Sequence, residues 1–222
     1  MAPQIGEIIL GGRKCQVGAQ VKTWEDHGMS FKGKKNTWKR ELPPDVILWH
    51  WTGGENSAET TYHTLINRSL GVTFCIDREG VIYQFIDPVL YDPRDTGGQI
   101  GRRSISLEVA NYGFRLKGQK IPTRGKDRIL DEEVIHGMKL RCARFFPNQI
   151  TSIAALTKVL CLELDIPMVF PREPDGSIAM RVLTSKEQRA FKGIMGHNHK
   201  TTQKYDPGWN LFRELEHLEQ AA

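Results

Sequence analysis

"DVILWHW", residues 45–51, is the stretch on which the fold turns. Both alternating sets are apolar, Val46 with Leu48 and Ile47 with Trp49, which fits a strand covered on both faces of an α/β sheet. A strand with one wet face would alternate apolar with polar. His50 lies at the end of this run, just before Thr52-Gly53-Gly54.

Working outward, residues 57–68, "SAETTYHTLINR", read as a helix with Ser57 as N-cap and Glu59 in the first turn. "VTFCIDREGVIYQF", residues 72–85, holds two β-rich runs around "REG" and predicts a hairpin. "RSISLEVANYG", residues 103–113, alternates cleanly: Ile105, Leu107 and Val109 share one face, Ser106, Glu108 and Ala110 the other. Glu108 therefore sits mid-domain among apolar and small neighbours, where a carboxylate is costly unless paired or used.

Further along, "DEEVIHGMKLRCARFF" (131–146) and "NQITSIAALTKVLCLELDI" (148–166) read as two helices, the second apolar at i, i+3 and i+4. Residues 167–183 form an irregular Pro-rich connection. "SKEQRAFKGIMG" (185–196) is a short segment with Ser185 as N-cap, and a helix from about Trp209 to Gln220 closes the chain. Upstream, "EIILGGRKCQV" (7–17) predicts a hairpin around Gly11-Gly12 within an accessory segment, residues 1–44, that ends at Pro43-Pro44. The expected architecture is α/β: a single mixed central β-sheet flanked by helices over residues 45–222, preceded by that N-terminal segment.

A chain of 222 residues can bury a full core unaided. Hydrophobic residues make up 39%, and no run approaches the roughly 20 apolar residues a membrane span needs. The N-terminal stretch lacks the basic region and long apolar run of a secretory signal, so synthesis in the cytoplasm is expected. Cys15, Cys75, Cys142 and Cys161 are widely spaced and read as reduced structural thiols. The net charge of +5, with basic clusters at residues 31–40 and 115–128, attracts polyanions. No basic helix, zinc-finger spacing or RNP-type strand points to nucleic acid, and no heptad pattern argues for anything beyond a monomer.

"GHNHKTTQKYDPG", residues 196–208, reads as a loop, since Asp206-Pro207-Gly208 is turn chemistry. A catalytic zinc takes three protein ligands and keeps a fourth position open, and His50, His197 and Asp206 could supply them. Spacing alone is a modest signal, because a lone strand-end histidine is more often structural.

Taken together, the motifs carry a resemblance. "ILWHWTGGENS" looks like the opening metal motif of the zinc-dependent N-acetylmuramoyl-L-alanine amidases, the family of phage T7-type lysozymes, cytosolic muropeptide-recycling amidases and peptidoglycan recognition proteins. "FCIDREGVIYQF" resembles the family hairpin, "RSISLEVAN" its following strand, and "GHNHKTTQKYDPG" its closing motif, in the family's order across residues 45–210. The resemblance implies one Zn2+ held by His50, His197 and Asp206, with Lys204 stabilising the oxyanion. It implies Glu108 as general base, because the position where other members carry a tyrosine matches Val72. The bond implied joins the lactyl group of N-acetylmuramic acid to L-alanine of the stem peptide.

One departure stands out. The segment "YDPRDTGGQIGRRSISLE" lacks a histidine that supports the site in some members, and Arg102 or Arg103 is expected to line the groove instead. Thr52, Arg102, Asn111 and His199 are the expected substrate contacts; for His199 the alternatives are a residue that supports the metal ligands and a merely solvated histidine. The expected partner is peptidoglycan or a muropeptide, attacked after release as an endolysin would. The alternatives are a cytosolic recycling amidase and a peptidoglycan-binding module without catalysis.

Overall fold

The computed structural model describes residues 5–35, 37–93, 95–116 and 118–221. In chain order it contains β1 (Gly6–Leu10), β2 (Arg13–Val17), β3 (Val21–Lys22), α1 (Trp24–His27), β4 (Trp38–Lys39), β5 (Val46–Trp51), α2 (Ala58–Asn67), β6 (Phe74–Ile76), β7 (Ile82–Gln84) and β8 (Tyr91–Asp92). There follow α3 (Gly98–Arg103), β9 (Ser104–Val109), β10 (Phe114–Arg115), β11 (Leu130–Ile135), β12 (Met138–Ala143), α4 (Pro147–Leu164), α5 (Ser185–Ala190), β13 (Gly193–Gly196) and α6 (Asn210–Leu215). A mixed six-stranded sheet of order β13-β5-β9-β6-β7-β3 forms the centre. β13, β5, β9 and β6 are parallel, and β7 turns back antiparallel to β6.

β5 lies inside this sheet, and its two apolar sets go to two different cores. Ile47 and Trp49 join Phe74, Ile76, Ile105, Leu107 and Val109 in the main core, which α4 and α6 cover through Ile153, Leu156, Leu160 and Phe212. Val46 and Leu48 face the other way, onto Ile100, Ala179, Leu183 and Met195. Beside them on that face, α2 packs Ala58, Tyr62 and Leu65 on Val72, Cys75 and Phe85. The four cysteines are buried and free.

The N-terminal segment is built into this unit. Ile8, Leu10, Cys15 and Val17 of the β1–β2 hairpin lie in the main core, and β3 pairs with β7 to extend the sheet. Buried Gln84 serves the hairpin as a missing strand would: its Oε1 accepts from Ile9 N at 2.8 Å and its Nε2 donates to Ile9 O at 2.7 Å.

Three expectations fail. Residues 131–146 are no helix but the hairpin β11–β12, turned by His136 and Gly137 with φ of 51° and 77°. Two successive left-handed residues suit a tight hairpin turn, and alternation points Glu133, Ile135, Leu140 and Cys142 inward. Glu133 is tolerated inside because it accepts the backbone N–H groups of Trp209 and Asn210, at 2.5 and 3.1 Å. The segment 185–196 splits into α5, whose N-cap is Thr184 rather than Ser185, and the edge strand β13 beside β5. The closing helix is likewise shorter than expected, passing into a 3-10 turn at Glu216.

Candidate metal centre

Parallel strands deliver the site. His50 is the penultimate residue of β5 and Glu108 stands directly opposite it on β9, so both project from the same face of the sheet. His197 follows β13, the strand on the other side of β5, in a short 3-10 turn. The loop after that turn brings back Lys204 and Asp206, and Asn198 N–H bonds Asp206 O at 2.8 Å to close it. A Cβ at Gly196 would collide with Pro207 and Asn198, so glycine is what lets this loop fold against the strand end.

The three expected ligands converge. His50 Nδ1 lies 2.9 Å and His197 Nδ1 3.2 Å from one and the same oxygen, Asp206 Oδ2. The donor atoms of these three residues all lie within 4.8 Å of one another. His50 and Asp206 are buried, 3% and 7% exposed. Burial alone would drive the proton off His50, but its bonds to Asp206 and Asp95 outweigh that and raise the imidazole to about 10. The Asp206 carboxyl, despite burial, is held well below the usual range by both histidines. Two imidazoles and a carboxylate are a donor set that zinc accepts.

Glu108 completes the constellation. Its Oε2 is shielded from solvent and has no hydrogen-bond partner. Burial raises its carboxyl to about 8, with His50 and Lys204 pulling down and Asp206 and Asp95 pushing up. A cavity of about 270 Å³ opens here, lined by His50, Thr52, Glu108, His197, Lys204 and Asp206 and running along α2 to Arg68. The Thr52–Asn56 loop on its wall is anchored from below. Glu55 receives the Arg128 guanidinium on both oxygens, through Nη2 at 2.7 Å and through Nε.

The other expected contacts lie elsewhere. His199 is fully buried beneath the loop, its Nδ1 accepting Gly196 N–H at 3.0 Å and its Nε2 donating to Ala179 O at 2.8 Å. Trp209 and Phe212 enclose its ring, so it is a structural histidine and no substrate contact. Asn111 is buried too, spending its amide on Ala143 O and Gly113 N. Arg102 is exposed on α3 outside the cavity lining, and Arg103 pairs with Asp45 at 2.8 Å. What the departing segment does bring to the cavity is Asp95, whose Oδ2 is 3.1 Å from His50 Nε2. An acidic residue in a polar Gly-rich loop gave no signal of this in the sequence.

The family model for N-acetylmuramoyl-L-alanine amidase matches residues 40–209. The chain belongs to that family. No curated protein sequence matches it. Among solved structures it is similar to the Ph2119 endolysin from a Thermus scotoductus bacteriophage, at 12% identity and TM-score 0.51, covering 90% of this chain and 99% of that one. It is also similar to the amidase AmiD from E. coli, at 16% identity and TM-score 0.49, covering 80% of this chain and 58% of AmiD. Peptidoglycan Recognition Protein-1 of Manduca sexta aligns at 11% identity and TM-score 0.48, over 89% of this chain and 90% of that one. The amidase sheet and flanking helices are thus common to the endolysin and this chain. Among the described residues no helix is long and apolar enough to cross a membrane.

Proposed function

We propose that this amidase-family chain is a zinc-dependent peptidoglycan hydrolase that cleaves the amide between N-acetylmuramic acid and L-alanine. The observation that carries the reading is the meeting of two imidazole nitrogens on one Asp206 oxygen beside a buried, unpartnered carboxylate oxygen of Glu108. A structural ion pair would need no such neighbour.

His50, His197 and Asp206 would hold the ion. Zinc, when bound, supplies Lewis acidity that polarises the amide carbonyl and makes water more acidic. Glu108 accepts the proton of the water that adds to the carbonyl carbon. Lys204, on the cavity rim, donates to the oxygen on which negative charge grows. As the C–N bond breaks, Glu108 returns its proton to the leaving L-alanine nitrogen, which departs as a neutral amine. The net charge of +5 favours an anionic polymeric wall over a small soluble fragment as substrate.

The test is zinc content together with release of new amino termini from purified peptidoglycan, for the native chain and Glu108→Ala. Bound zinc in both, with cleavage only by the native chain, supports the reading. Zinc bound with intact wall resistant and anhydro-muropeptides cut would move the substrate to the recycling class. Absence of zinc and of cleavage on either substrate would end the enzyme reading.

A further inference from the structure

His50 is contacted at both ring nitrogens, and only one of them faces the other two ligands. Nδ1 shares a hydrogen bond with Asp206 at 2.9 Å, while Nε2, on the far edge of the ring, makes an ion-pair contact with Asp95 Oδ2 at 3.1 Å. That contact stands out of line for a hydrogen bond, and a small turn of the ring would align it. Asp95 is outside the cluster whose donor atoms lie within 4.8 Å of one another. It approaches the imidazole from behind.

The aspartate is itself held. Its Oδ1 accepts the N–H of Thr96 at 2.8 Å, leaving Oδ2 for the histidine. The loop that carries it is tied to the closing loop by Lys200, whose Nζ donates to Thr96 O and, at 3.0 Å, to Gly97 O. One lysine therefore joins the segment bearing Asp95 to the segment bearing His197 and Asp206. The Asp95 side chain is mostly buried, at 12% exposed, so its contact with His50 is shielded from competing water.

We propose that Asp95 is a positioning residue of the metal centre, accepting the Nε2–H of His50 so that Nδ1 presents its lone pair to the ion. The inference rests on the zinc reading above. A ligating imidazole has two tautomers and a free ring torsion, and an acceptor on its outer nitrogen fixes both while making the ligand more basic. Asp95 does this through His50 and has no part in the bond-breaking step. The lysine clasp ties the loop bearing Asp95 to the closing loop that carries the other two ligands, and so adds to the alignment that Asp95 gives.

The test compares the native chain with Asp95→Asn, Asp95→Ala and Lys200→Met by zinc affinity, measured by competition with a chromogenic chelator. Asp95→Ala weakens zinc about 10- to 100-fold. Asp95→Asn, which still offers an oxygen to Nε2–H, loses less, and Lys200→Met loses least. In the zinc-loaded native protein the His50 Nε2–H gives a downfield, slowly exchanging proton resonance, which disappears in Asp95→Ala. Unchanged affinity and an unchanged resonance in Asp95→Ala would overturn the proposal while leaving the zinc reading intact. A rise in KM without loss of zinc affinity would also overturn it, making Asp95 a substrate contact. A native chain that binds no zinc would overturn both.

Discussion

His50 and Glu108 are register partners on adjacent parallel strands, so an imidazole of the candidate metal centre and a partly buried carboxylate share one face of the sheet. The arrangement is expensive without a metal. A carboxyl raised to about 8 contributes stability below its unfolded value that is lost as pH climbs toward 8. Glu108→Gln is therefore expected to stabilise the chelator-treated protein at pH 8.5, by at least about 1 kcal/mol, and hardly at pH 5. Urea midpoints at the two pH values measure this. A variant that is destabilised at both would show that Glu108 supports the fold.

On the proposed zinc reading, binding of the ion displaces the proton that His50 holds between two carboxylates. With the imidazole raised to about 10 and the Glu108 carboxyl to about 8, uptake near pH 7.5 is expected to release about one proton per ion from His50 and part of a second from Glu108. Calorimetric titration in buffers of different ionisation enthalpy counts it. Apparent affinity rises with pH over the same range.

Lys204 stands on the rim, and among the described residues no hydrogen bond or ion pair joins its side chain to His50, His197 or Asp206, so its removal should spare the metal. Lys204→Ala is expected to keep native zinc content and lower kcat by about 10²- to 10³-fold, the range for a lost oxyanion donor. Steady-state kinetics on a soluble muropeptide separates this from a change in KM.

His199 sets an acid limit. Burial pushes its imidazole down to about 3, while the unfolded chain takes up the proton near pH 6.5. Between those values the unfolded state binds more protons, so stability falls with falling pH, by up to about 1.4 kcal/mol per pH unit from this residue. His199→Gln is expected to be less stable at pH 7 yet flatter in its pH dependence. Urea midpoints from pH 7.5 to 4.5 distinguish the two curves.

What could be read from the sequence follows from what each residue type reports. β5 was legible because an uninterrupted apolar run has few other uses, and Glu108 because a carboxylate in clean alternation is conspicuous. Residues 131–146 were misread since their charged residues fit a helix face as well as a hairpin edge. His136-Gly137, the turn, was the decisive and overlooked pair. Strand β13 is only four residues long, and its partner β5 is far away in sequence. His197, Lys204 and Asp206 were legible by resemblance to the family motif. Asp95 and the structural duty of His199 depend on which groups meet across the fold, and local pattern is silent on that.

The family match begins at residue 40, yet the side chain of Gln84 reaches back across that point to hold both polar groups of Ile9. Expressing only the matched segment would uncover one end of the main core and strand an amide inside it, at about 1–3 kcal/mol for each group left unpaired. Anyone grafting this amidase onto another binding module should therefore cut before Gly6, because the boundary drawn by homology runs through the protein's interior.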